Sequence, residues 1–119
     1  MKFGPSIITD GLVFSVDAAN PDSYVSGSTI WKDQTVNQNN GTLINGPTFD
    51  SADGGSIVFD GTDDYIQFPQ NTAGQFTRDV MSFEAWVLLD SMASSYPIIV
   101  MDRSIWNGAD GIEIYTQNN

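Results

Sequence analysis

The chain has 119 residues, 40% of them hydrophobic, and its 15 acidic and 4 basic residues give a net charge of −11. This hydrophobic content is enough to pack one core and argues against a disordered chain, while the charge opposes binding to a nucleic-acid backbone. The absence of Cys and His excludes disulfides and thiolate metal sites, and it removes the commonest zinc ligand and general base.

The first predicted strand follows a lead-in of ten residues. Apolar and polar residues alternate over residues 11–17, with Leu12, Phe14 and Val16 on one face. An alternation of period two is typical of a strand with one buried face. We therefore expect a lead-in at residues 1–10 and a strand at residues 11–17.

Turn signals then divide the chain into short segments. Pro21 predicts a turn, because the residue before a proline avoids the helical region. Residues 30–32 are either a short strand or an anchor in which Trp31 is buried. Residues 41–45 are a strand candidate between two Asn-Gly pairs, and the stretch that follows, around Phe49, is predicted to be a loop.

The clearest pattern lies at residues 56–68, SIVFDGTDDYIQF. Ile57 and Phe59 share one face before an Asp-Gly pair, and Ile66 and Phe68 share one face after it. Asp-Gly between two apolar runs is a strong hairpin signal. The segment therefore predicts two strands paired with each other, around a loop that carries three carboxylates within five positions.

The second half of the chain adds three more strand candidates. Residues 81–90 are the longest apolar run, and the surrounding turns favour a strand over a ten-residue helix. Residues 98–101 and 111–116 complete the set. Eight short strands predict an all-β protein with the antiparallel architecture of a β-sandwich or jelly roll. The predicted core consists of Leu12, Phe14, Val16, Ile57, Phe59, Phe83, Ala85 and Val87, together with Trp31 and Trp86.

The order of these segments resembles a known family. GLVFSVDAANPDSY, NNGTL, GGSIVFDGTDDYI and SFEAWV, in that order, are similar to the start of a laminin-G-like domain of the concanavalin A-like lectin and glucanase jelly rolls. The resemblance covers residues 11–119. Since such domains continue further, it implies about the first half of a sandwich. Either the chain is truncated, or another chain supplies the remaining strands.

The resemblance also bears on catalysis. Relatives of this jelly roll hydrolyse glucans with carboxylates spaced two apart along one strand, an arrangement that suits acid–base glycoside chemistry. In this sequence Trp86 stands two positions after Glu84, and Tyr115 stands two positions after Glu113. No carboxylate pair of this kind occurs in the chain, so we expect a protein that is not an enzyme, and part of a glycoside hydrolase is the least favoured alternative.

Some relatives hold Ca²⁺ in loops at one rim, which implies a possible calcium cofactor here. The candidate metal ligands have the carboxylate and amide oxygens that Ca²⁺ prefers, and they are Asp33, Asn37, Asp60, Asp63 and Asp64. The alternative is that these side chains accept hydrogen bonds from the backbone of their own turns. This alternative is favoured, because their spacing matches no defined calcium loop.

The aromatic residues offer a second kind of candidate site. Trp106 lies in a polar stretch beside Arg103, so this pair is the candidate ligand contact, although aromatic residues more often belong to a core.

The opening of the chain is similar to copies of the domain in phage and other virion structural proteins. This resemblance implies a non-catalytic module on a virion surface, with an adhesin-like or decoration role. Its partners would be other virion chains or further copies of itself. The alternative is a glycan-binding module of a cell-surface or secreted protein.

No apolar run is long enough to span a membrane, and the N-terminal apolar stretch is too short for a signal peptide.

Overall fold

The structure, a computed structural model, describes residues 8–69, 82–89, 98–101 and 113–115. These residues contain short strands and one 3-10 turn, and the strands form antiparallel sheets, so the prediction of an all-β protein is confirmed. The elements are β1 (Ile30–Trp31), β2 (Gly41–Ile44), β3 (Thr48–Asp50), the 3-10 turn (Ala52–Gly54), β4 (Ser56–Val58), β5 (Tyr65–Gln67), β6 (Ile98–Met101) and β7 (Glu113–Tyr115). The jelly-roll sandwich stays a prediction.

Three separate sheets are formed by these strands. The largest has the order β1-β2-β5, with Thr42 opposite Ile30 on one side and Leu43 opposite Ile66 on the other. A second sheet pairs β3 with β4, and a third pairs β6 with β7 with an irregular register near Ile98. β2 is therefore the central strand of the largest sheet, and its position agrees with the predicted strand at residues 41–45.

The predicted hairpin at residues 56–68 is wrong. Both strands exist, and Ile57 and Ile66 are half-buried, but β4 pairs with β3 while β5 pairs with β2. The alternation of apolar residues identifies the buried face of a strand and carries no information about its partner. The connection at residues 59–64 leads the chain from one sheet to another and does not close a hairpin.

The predicted strand at residues 11–17 is also absent, and residues 12–16 are all half-buried, without the alternation that the prediction requires. Its backbone is bonded to a later loop. The N–H of Ser15 donates to the carboxylate of Asp33, and the carbonyl of Val13 accepts from the side chains of Thr35 and Asn37. The carbonyl of Ser15 also accepts from the N–H of Gln34, so the segment is bonded to the loop through side chains and one backbone pair and forms no strand ladder.

Two further predictions need correction. Residues 82–89 form neither a strand nor a helix, and the side chains of Trp86 and Leu88 are 93% and 94% exposed. Conversely, the stretch around Phe49 that was predicted to be a loop is strand β3. A short strand such as β3 gives too few alternating residues to be recognised.

The most deeply buried apolar side chains of the described residues are Tyr24 and Leu43. Tyr24 packs against Phe49 with ring centroids 5.4 Å apart, and Phe14 meets Phe68 edge-to-face at 4.8 Å. Of the predicted core, Leu12, Phe14, Val16, Trp31, Ile57 and Phe83 are half-buried, whereas Phe59, Ala85, Trp86 and Val87 are exposed.

Within the described ranges no helix has the length and hydropathy that a bilayer span needs.

Candidate functional site

The polar loop at residues 33–40 is organised around a buried carboxylate. Asp33 is 6% exposed. Its Oδ1 accepts hydrogen bonds from the N–H groups of Ser15 (3.1 Å) and Thr35 (2.9 Å). Its Oδ2 accepts from the N–H of Asn39 (3.0 Å) and the hydroxyl of Thr35 (2.8 Å). Four donors occupy this carboxylate, so its role is to hold the loop against residues 12–17.

These donors also determine the charge state of the group. Burial by itself would raise the pKa of Asp33, because it disfavours the ionised form. The hydrogen bonds from the backbone of Thr35, Asn39 and Ser15 and from the Thr35 hydroxyl outweigh burial, so the pKa lies below its ordinary value. Asp33 is therefore a carboxylate near neutral pH, and its charge contributes to the fold.

Asn37 and Asn40 complete the same loop. The side-chain amide of Asn37 donates to the carbonyl of Val13 (2.8 Å), and Oδ1 of Asn40 accepts from the N–H of Asp33 (3.0 Å). Both asparagines connect parts of the backbone. The geometry of this loop therefore favours the turn-forming interpretation of Asp33 and Asn37 over their interpretation as metal ligands.

The acidic loop is the second polar feature, and it comprises Asp60, Asp63 and Asp64. Carboxylate oxygens of the three residues lie within 4.8 Å of one another. Oδ1 of Asp60 accepts from the N–H groups of Thr62 (2.8 Å) and Asp63 (3.3 Å), and Oδ2 of Asp64 accepts from the N–H of Asp60 (3.0 Å). Donation from the Thr62 backbone is the main reason that the pKa of Asp60 is lowered. Two of the three carboxylates are thus used to shape the turn.

The structure therefore brings together three of the five predicted metal ligands. Asp33 is not part of that group, because its oxygens are bound within its own loop. The acidic loop offers oxygen donors of the kind that Ca²⁺ prefers, so the donor chemistry fits this ion. Calcium binding at Asp60, Asp63 and Asp64 stays a prediction.

A melting experiment tests that prediction. An ion that binds only the folded chain stabilises it by roughly 3 kcal/mol at a hundred times its Kd. The expected signature is a higher melting temperature in millimolar Ca²⁺ than in EDTA, a smaller rise in Mg²⁺ and loss of the calcium effect in Asp63→Asn. Asp22→Asn, at an exposed aspartate elsewhere, is the matched control. If Ca²⁺ adds nothing beyond an ionic-strength control, the three carboxylates act as turn caps alone.

A cleft of about 540 Å³ lies beside the buried Tyr24. Its walls combine aromatic and aliphatic side chains with hydroxyl and amide groups: Tyr24, Ser26, Gly27, Ser28, Thr29, Leu43, Asn45, Gly46, Pro47, Thr48 and Phe49. The hydroxyl of Tyr24 donates to the carbonyl of Ser28 (2.8 Å), which fixes the ring in the wall. The cleft is about half open to solvent, whereas the ligand pockets of proteins usually bury most of their ligand.

Sequence reasoning missed this cleft. The Asn45-Gly46-Pro47 signal marks a turn correctly, but nothing in the sequence places that turn beside residues 26–29. The predicted ligand contacts Trp106 and Arg103 lie outside the described residues.

Comparison with known proteins adds no assignment. No model of a known protein family, no curated protein and no solved structure matches this chain. The resemblance to laminin-G-like domains therefore rests on the sequence motifs alone.

Proposed function

We propose that this chain is a non-catalytic interaction module of the laminin-G-like type, which docks onto another protein chain on a virion surface, in a capsid or tail. The observation that carries the proposal is an exposed apolar strip, defined as Trp86, Val87, Leu88 and Leu89. Trp86 and Leu88 are almost fully exposed, and Val87 and Leu89 are about half exposed. Four consecutive apolar side chains in solvent are typical of a contact surface, whereas single exposed hydrophobics are common.

The backbone of the strip supports the same proposal. Residues 82–89 take no part in the three sheets formed by the described residues. A segment of this kind can add to the edge of a sheet in another protein, where main-chain hydrogen bonds give affinity and alternate side chains fill pockets. Tryptophan is the residue most enriched among the side chains that dominate binding energy at such contacts.

The charge of the chain favours one kind of partner. A net charge of −11 opposes close association of two copies and favours a partner that surrounds its own apolar site with basic residues. The proposed occupant of the strip is therefore a different, basic chain of the virion. A homo-oligomer is the alternative, and a sedimentation experiment over a range of salt concentrations distinguishes the two.

The proposal predicts incorporation into particles. The chain should be found in purified virions, and the double variant Trp86→Ser with Leu88→Ser should be incorporated at least tenfold less, because loss of a single aromatic anchor costs about 2 kcal/mol or more. Val36→Ser is the matched control, since Val36 is equally exposed and lies outside the strip. Incorporation of the double variant at the level of the control would exclude the strip as the docking surface.

A second candidate function, glycan binding, is favoured by the cleft beside Tyr24. The ring of Phe49 and the hydroxyl groups of Thr29 and Thr48 offer an apolar face and polar groups to a sugar. A glycan array with the folded chain tests this function. Signals that are lost in Thr48→Val and kept in Val36→Ser would support glycan binding in the cleft, and an array without signal would remove this candidate.

A further inference from the structure

The turn between β2 and β3 contains an Asn-Gly pair in an open position. Asn45 and Gly46 both have positive φ, 68° and 108°, and both residues are exposed. A Cβ added at Gly46 would meet no atom within 4 Å. Among the described residues the N–H of Gly46 makes no hydrogen bond. The backbone nitrogen that follows the Asn45 side chain is therefore free and unshielded.

A second Asn-Gly pair has the opposite environment. Gly41 is buried in β2, where an added Cβ would lie 2.6 Å from the ring of Phe68 and 2.7 Å from the side chain of Ile66. The side chains of both asparagines are held, because Oδ1 of Asn40 accepts from the N–H of Asp33 and Nδ2 of Asn45 donates to the carbonyl of Asp63, so the difference between the two pairs lies in their glycines. Among the described residues the same dipeptide thus occurs once in an open turn and once at the start of the central strand, so the fold and not the local sequence separates these two pairs.

We propose that Asn45 is a site of spontaneous covalent modification, at which its amide converts to a carboxylate. The nitrogen of Gly46 attacks Cγ of Asn45 and gives its proton to solvent. The new N–Cγ bond replaces the bond from Cγ to Nδ2, and Nδ2 leaves as ammonia after gaining a proton. Water then opens the cyclic imide at either carbonyl. The products are aspartate and isoaspartate, and the net reaction consumes one water and releases one ammonia.

The position of Asn45 gives this reaction a structural consequence. Its side-chain Nδ2 donates to the carbonyl of Asp63 (2.8 Å) and so connects the turn to the acidic loop. The product carboxylate cannot donate, and it places a negative charge beside the carbonyl oxygen of Asp63. Isoaspartate also lengthens the backbone of a turn that lines the cleft. Modification therefore releases the acidic loop and reshapes the rim of the cleft as the protein ages.

The test compares Asn45 with Asn40 within one chain. Incubation of the folded chain in heavy-oxygen water at mildly alkaline pH, followed by trypsin digestion and fragmentation of the peptide between Lys32 and Arg78, reports both sites together. We expect Asn45 to convert at least about tenfold faster than Asn40, since modification of Asn40 requires β2 to open locally. The product should carry one heavy oxygen and elute as two isomers.

A denatured control isolates the effect of the fold. In concentrated urea Asn40 and Asn45 should convert at similar rates, because both Asn-Gly pairs are then solvated. A further control is Asn45→Gln, which keeps the amide donor and should show no conversion at position 45. Equal rates at Asn40 and Asn45 in the folded chain, or an unmodified Asn45 under conditions that modify it in urea, would overturn the proposal.

Discussion

Asp33→Asn should lower the free energy of unfolding by about 3 kcal/mol. The substitution keeps the shape of the side chain but removes its charge and replaces one acceptor oxygen by a donor. The new side-chain amide can take two orientations. In one its NH2 group faces the N–H of Asn39, and in the other it faces the N–H of Ser15, so one buried donor loses its acceptor. An unsatisfied buried donor and a lost charge-assisted hydrogen bond both act against the folded state. For a small domain this is a large share of the total stability.

Urea denaturation at neutral pH measures this effect. The control is Asp22→Asn at an exposed position, for which we expect a change within about 0.5 kcal/mol.

The effect of Asp33 on stability also has a defined pH dependence. The folded pKa of Asp33 lies below the unfolded value of 3.8, so its stabilising contribution is complete above that pH and is lost as the pH falls below it. Wild-type chain and variant should therefore converge in stability under strongly acidic conditions. A variant as stable as the control at neutral pH would show that Asp33 does not organise the loop.

Gly55→Ala should destabilise the chain by about 3 kcal/mol, through two independent effects. Gly55 has φ 129° and ψ 136°, a backbone conformation that is restricted almost entirely to glycine. In addition, an added Cβ would lie 2.9 Å from the ring of Phe49 and 3.0 Å from the carbonyl oxygen of Ala18. The ring is packed against Tyr24, so it cannot move away without disturbing the most buried side chains.

Gly61→Ala separates these two effects. Gly61 also has positive φ (74°), but no atom lies within 4 Å of an added Cβ. This control should therefore cost about 1 kcal/mol from backbone strain alone. Thermal or urea unfolding of both variants measures the difference. Equal costs at the two positions would mean that the contact of residue 55 with Phe49 and Ala18 is loose.

Local signals in the sequence predicted the elements that depend on nearby residues. Asn-Gly pairs bound the segment at residues 41–45, and β2 occupies Gly41–Ile44 within it. The half-burial of Ile57 and Ile66 followed from alternation. Alternation did not predict which strands β4 and β5 pair with, because that depends on the competing partners β3 and β2. β3 is too short to give a periodic signal.

The candidate sites show the same division. Asp60, Asp63 and Asp64 are neighbours in the sequence, so their convergence was predictable from their spacing. The environment of Asp33 was not predictable from the sequence. One of its donors is the N–H of Ser15, which lies 18 positions earlier in a segment with strand-like alternation. The cleft likewise requires the loop at residues 26–29 to meet the turn after β2, and no local pattern specifies that contact.

Footprinting of Trp86 tests the proposed docking function most directly. In the free chain its side chain is 93% exposed, so it should react rapidly with hydroxyl radicals or a tryptophan-specific oxidant. In purified virions we expect strong protection of Trp86, at least about tenfold, because a docked partner excludes water from the centre of a contact. Tyr65, which is exposed and lies outside the strip, serves as the internal reference. Equal labelling of Trp86 in the free chain and in the particle would contradict the proposal.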